Sequence, residues 1–139
     1  MKSIKMVDLN GQYEAIKSEL DIALYSVLNT TTFINGPAVK EFQNNLQKYL
    51  NVKHVIPCAN GTDALQLALM SLNLNPGDEI ITSDFTFAST AEVVLLMGLK
   101  LKFVDINKET FNIDPLFVER AITPKTKAII PVHLFGQPA

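Results

Sequence analysis

The chain has 139 residues, 47% of them hydrophobic and 19% charged, which supports one ordinary domain with its own core and excludes a disordered chain. Its net charge of −2 and pI near 5.6 give no electrostatic case for binding nucleic acid or an anionic membrane. No apolar run approaches the ~18 residues of a membrane span, no signal core follows Met1-Lys2-Ser3-Ile4-Lys5, and a lone cysteine, Cys58, fits the reducing cytoplasm expected for this chain.

From Asp8 to Leu28 the apolar residues Ile16, Leu20, Ala23, Leu24, Val27 and Leu28 fall at helical spacing, which predicts a helix with one buried stripe. A polar turn and the loop Phe33-Ile34-Asn35-Gly36-Pro37 follow. A second helix begins near Ala38, with Val39, Phe42, Leu46, Tyr49 and Leu50 on one face. The rhythm then changes. A short strand, His54 to Pro57, runs into the turn Cys58-Ala59-Asn60-Gly61, and a helix is expected from Thr62 to about Leu72. Asn75-Pro76-Gly77-Asp78 turns the chain into a strand over Glu79–Thr82, and a helix from about Ser89 stops at Gly98. A strand over Leu101–Ile106 comes next. Asp114-Pro115 then opens a helix with an aspartate cap and proline in its first turn, Thr123-Pro124 ends it, and Lys127–Val132 is the last strand.

Alternating strands and helices with apolar strands imply an α/β fold. The expected architecture is a partial three-layer αβα arrangement with a mainly parallel sheet, preceded by two N-terminal helices. The expected division is an N-terminal helical segment, 1–50, and an incomplete α/β domain, 51–139. A sheet of about four strands leaves an apolar edge or face uncovered, so the chain reads as part of a larger domain and is expected to self-associate.

Three segments stand where parallel sheets bind ligands, outside the carboxyl ends of strands. Asn60-Gly61-Thr62-Asp63 joins a strand to a helix. Glycine permits close backbone approach, the first helical turn offers unpaired N–H groups, and Thr62 adds a hydroxyl, so the turn has the outline of a phosphate cradle. An ordinary turn capped by Thr62 or Asp63 is the other reading. It is neither a Walker A loop nor a dinucleotide fingerprint. Ser83-Asp84-Phe85-Thr86-Phe87-Ala88-Ser89-Thr90 follows the second strand, with Phe87 placed to stack on a planar ligand and Phe85 to pack. His133, after the last strand, is either a hydrogen bonder behind a ligand or structural. Asp105 reads as a carboxylate organising its loop, and Cys58 as a buried, inert thiol. No residues have metal-ligand spacing, and no Ser/His/Asp set assembles.

In order along essentially the whole chain, these segments resemble the N-terminal part of the DegT/DnrJ/StrS-type sugar aminotransferases, fold-type I enzymes that use pyridoxal phosphate. The matching wording includes Phe33-Ile34-Asn35-Gly36-Pro37, Asn60-Gly61-Thr62-Asp63-Ala64-Leu65, Pro76-Gly77-Asp78-Glu79, Phe85-Thr86-Phe87-Ala88-Ser89-Thr90, Thr123-Pro124-Lys125-Thr126-Lys127 and Pro131-Val132-His133-Leu134-Phe135-Gly136-Gln137-Pro138. The resemblance implies that Gly61 and Thr62 bind the cofactor phosphate and that Phe87 stacks on its ring. It implies transfer of an amino group, commonly from glutamate, to a nucleotide-linked keto-sugar for surface polysaccharide or amino-sugar synthesis, by a homodimer. The family's Schiff-base lysine and the carboxylate that pairs with the pyridinium nitrogen stand in downstream segments. No catalytic residue is therefore assigned here, and the 139 residues alone are expected to be inactive. The alternative is a non-catalytic regulatory or binding module, since family members have carried the label of pleiotropic regulatory protein.

Overall fold

The structure, a computed structural model, describes residues 6–139. The segment Met1-Lys2-Ser3-Ile4-Lys5, in which the sequence shows no signal core, lies outside the described residues. Two compact units divide between Pro57 and Cys58.

The first unit holds two helices. In α1, Leu9–Thr30, the Asp8 carboxylate caps the start by accepting from the Gly11 N–H at 3.0 Å, and Thr31 ends the helix in the left-handed region, φ 52°. Gly36 is required by close approach, because a Cβ there would stand 2.3 Å from the Thr32 carbonyl oxygen. The next helix, α2, spans Pro37–Leu50, with proline in its first turn and Asn51 closing it at φ 52°. Two expectations fail here. No residue of α1 or α2 is fully buried; of the expected stripes Val27, Val39 and Leu46 are half-buried and most of the rest is exposed, because an apolar stripe is buried only where a second apolar surface meets it. And His54–Pro57 is not a strand. It is held by α2 side chains instead, the Gln43 amide donating to the Val55 carbonyl at 2.8 Å and the Gln47 amide to that of Lys53. An apolar extended pattern supplies the shape of a strand, but a ladder needs a neighbour.

The second unit is built on three parallel strands in the order β2-β1-β3: β1 Glu79–Ser83, β2 Lys100–Val104 and β3 Thr126–Ile130. The sheet is wholly parallel but one strand short of the four expected. Helix α3, Gly61–Met70, and helix α4, Ser89–Leu96, meet Ile80, Leu101, Ala128 and Ile130 in a core with Leu69, Val93, Val94 and Leu99. Helix α5, Pro115–Ala121, packs against β2. Lys102 on β2 donates to the Ala121 carbonyl at the end of α5, from the face opposite Leu101 and the α3–α4 core, so helices lie on both faces of the sheet. The arrangement is the partial αβα layering read from the sequence. Central β1 is buried along four of its five residues, whereas edge strand β3 alternates half-buried and exposed positions. Gly98, φ 70°, follows α4 where only a left-handed residue turns the chain back into β2.

Candidate functional site

At the carboxyl ends of β1 and β3 a cleft of about 460 Å³ is lined by the start of α3, the segment leading into α4, and the residues after β3. Gly61, Thr62, Leu65, Thr86, Phe87, Ser89, Thr90 and His133 all line it. The three ligand-binding residues expected from the sequence, Gly61, Thr62 and Phe87, thus stand together within one compact unit although they span 27 positions.

The turn into α3 leaves donors free. The helix is capped by Asn60, whose side-chain oxygen accepts from the Asp63 N–H at 2.9 Å, and the Ala64 N–H reaches the Asn60 carbonyl at 3.1 Å. The cap is therefore neither Thr62 nor Asp63. The N–H groups of Gly61 and Thr62 and the Thr62 hydroxyl have no partner among the described residues. A Cβ built on Gly61 meets nothing within 4 Å, so open space lies directly in front of this backbone. Two unpaired amides, a hydroxyl and room at a helix N-terminus fit a phosphate.

The segment after β1 supplies the cleft's second wall. Phe87 is 76% exposed and has no aromatic neighbour among the described residues, whereas Phe85 sits 6.0 Å from the ring of Phe111. One ring is free to meet a ligand and the other is engaged in packing. Beside Phe87 stand hydroxyls that the sequence reading passed over: Ser89 and Thr90, both buried, and Thr86, which shares a 3.0 Å hydrogen bond with Thr90. Their signal was the run of Ser and Thr following an apolar strand, overshadowed by the two phenylalanines. Thr82, deeper in β1, donates to the Ile130 carbonyl at 2.9 Å and ties the two strands at the cleft's base.

His133 lies on the third wall, its Nδ1 accepting from the Ala139 N–H at 3.0 Å. Asp105 does organise its loop, accepting from the Ile106 N–H at 2.7 Å through its side chain and from Asp114 through its carbonyl. Cys58, expected to be buried, is exposed, and its thiol donates to the Asn60 carbonyl at 3.4 Å. Small and apolar neighbours do not bury a residue that sits on a turn. Among the described residues no lysine lines the cleft. Among the described residues no cluster could hold a metal ion, and no helix is long and apolar enough to cross a membrane.

Comparison with known proteins points the same way as this geometry. Residues 14–139 match the DegT/DnrJ/EryC1/StrS aminotransferase family. The UDP-2-acetamido-2-deoxy-3-oxo-D-glucuronate aminotransferase of Pseudomonas aeruginosa is 48% identical over 134 residues, 96% of this chain and 37% of that protein. The "pleiotropic regulatory protein" of Geobacillus stearothermophilus is also 48% identical, over 99% of this chain and 37% of its own length. The crystal structure of Bacillus subtilis NtdA with bound cofactor PMP superposes with a TM-score of 0.82 at 40% identity, covering 99% of this chain and 33% of that one. The chain thus spans about 37% of the length of these curated relatives.

Proposed function

The chain belongs to the DegT/DnrJ/EryC1/StrS aminotransferase family, and from that premise we propose that it is the N-terminal part of a pyridoxal-phosphate enzyme that aminates a nucleotide-linked keto-sugar. The single observation that carries this reading is the convergence of unpaired Gly61 and Thr62 amides, the Thr62 hydroxyl and the exposed Phe87 ring on one cleft. The amides and hydroxyl of Gly61 and Thr62 bind the phosphate, and the Phe87 ring covers one face of the pyridine. When bound, the cofactor supplies the electron sink that lets an amino group move between carbon skeletons. Leu65 and Val132 keep part of the cleft wall apolar and limit water there. Glutamate is the proposed amino donor, surface polysaccharide or amino-sugar synthesis the proposed setting, and the cytoplasm the proposed compartment.

These 139 residues alone do not complete the transfer in this reading, because no lysine among the described residues stands on the cleft walls to hold the cofactor covalently. The working unit is a homodimer, supported by the uncovered apolar residues of α1 and α2. A second reading, a regulatory module, draws on the likeness to the Geobacillus protein. The net charge of −2 disfavours direct contact with DNA, and salt-sensitive DNA retention on a filter would revive that reading.

The test is an absorption titration with pyridoxal phosphate, in competition with inorganic phosphate and with nucleotides, followed by borohydride reduction. The expected result is reversible binding displaced by inorganic phosphate, with no single lysine labelled stoichiometrically after reduction. Displacement by nucleotides of a probe that pyridoxal phosphate does not displace would replace this reading with a different phosphorylated ligand.

A further inference from the structure

Asn112, in the loop between β2 and α5, is 7% exposed. Its Nδ2 donates to the Pro138 carbonyl at 2.8 Å, while its Oδ1 is buried with no partner among the described residues. Turned round, the amide would set Oδ1 against the Pro138 oxygen, acceptor against acceptor, so hydrogen-bond chemistry fixes the amide's orientation. The carbonyl it holds belongs to the Pro138–Ala139 peptide, and the N–H of that same peptide donates to His133 Nδ1 at 3.0 Å. One planar unit therefore joins Asn112 to His133. A bond at the carbonyl end polarises the peptide and strengthens the bond at the N–H end.

The consequence falls on the cleft. A ring whose Nδ1 accepts carries its proton on Nε2 when neutral, and Nε2 has no partner among the described residues. His133 lines the same cleft as Gly61, Thr62 and Phe87. The loop that carries Asn112 and the segment after β3 are tied a second time by Phe111 and Phe135. Both phenylalanines hold left-handed backbone, φ 60° and 54°, and their rings meet edge to face at 6.5 Å. Bulky residues adopt that backbone only where their surroundings impose it.

We propose that Asn112 is a positioning residue for the cleft: through the Pro138–Ala139 peptide it holds His133 as a fixed Nε2–H donor to an oxygen acceptor of the ligand whose phosphate Gly61 and Thr62 bind. The ligand half of this statement rests on the cofactor reading above. Two substitutions cut the relay at different ends. Asn112→Leu removes the donor to Pro138, and Ala139→Pro, at an exposed position, removes the N–H that reaches His133 and leaves the Pro138 carbonyl in place.

Each variant is expected to raise the dissociation constant for pyridoxal phosphate about tenfold, with that for inorganic phosphate held within about twofold, and the double variant to do no worse than either single one. In ring-15N spectra of His133, without ligand, Nδ1 reads as a hydrogen-bonded acceptor in the unaltered chain and as a free one in both variants. An unchanged ring spectrum in Ala139→Pro overturns the relay, whatever Asn112→Leu does to folding. Equal losses for phosphate and pyridoxal phosphate overturn the positioning role. If the unaltered chain binds neither ligand, the cofactor reading fails and takes the ligand half with it, while the ring spectra still decide the relay.

Discussion

Gly61 has two properties that pull apart under mutation. Its backbone is not in the left-handed region and nothing lies within 4 Å of an added Cβ, so alanine is compatible with the fold. Gly61→Ala is expected to stabilise the chain by about 0.4–1 kcal/mol in urea unfolding, by restricting the unfolded state. The same methyl would take up open space beside the unpaired amides, and affinity for inorganic phosphate should fall. Thr62→Val removes one hydroxyl donor to an anion and is expected to weaken phosphate binding about tenfold with little change in melting temperature. Phosphate affinity in both variants equal to that of the unaltered chain, measured by calorimetry, would rule out the cradle. At this scale the sequence was legible where backbone chemistry is local: a glycine and a threonine at a helix start are visible as letters. It was illegible where a side chain's partner is remote. Nothing near Asn112 in sequence announces a bond to Pro138, and the exposure of Cys58 depends on where the turn lies rather than on its neighbours.

The elements of the second unit are tied together at the end of the sheet away from the cleft. Glu79, at the start of β1, accepts from the Thr123 hydroxyl at 2.6 Å and faces Lys102 of β2 at 3.3 Å. The Thr123 hydrogen bond, aided by the charges of Lys102 and Lys100 against partial burial, holds the Glu79 carboxyl below its ordinary value. A depressed carboxylate contributes stability above its unfolded pKa, about 4.3, and loses it as pH falls through the lower folded value. Glu79→Gln should therefore be less stable than the unaltered chain at neutral pH, with the gap closing as pH falls below about 4.3. Urea midpoints across that range check this, and a gap independent of pH would contradict it. Phosphate affinity should not change, since the cleft is at the opposite ends of the strands. The periodicity of α3 to α5 and the apolar runs of β1 to β3 were readable because each element's pattern is local. His54–Pro57 shows the limit: it has a strand's composition, yet pairing is a property of two segments and was not written in one.

On the scale of the molecule, the two units differ in how they use their apolar residues. The second buries Ile80, Ile81, Val93 and Val94 completely. The first buries no helical residue and leaves Ile22 and Tyr49 at 72% and 85% exposure. Surfaces of this kind mark interfaces, and the chain is expected to sediment as a dimer that dissociates on dilution. A monomer at the highest attainable concentration would count against the proposed homodimer. The uncovered stripes were legible as amphipathic helices, but whether they would be covered was not, because periodicity reports a face and not its partner. In the proposed function the start of α3 and the Phe87 segment form the cofactor's phosphate and ring sites. That assignment is tested most directly by following backbone amide signals while pyridoxal phosphate is added to the 139-residue chain. The largest shifts are expected at Gly61 and Thr62, with a second group over Thr86–Thr90 and loss of the first group in Thr62→Val. Shifts confined to the loop 31–37, or none at saturating cofactor, would contradict it.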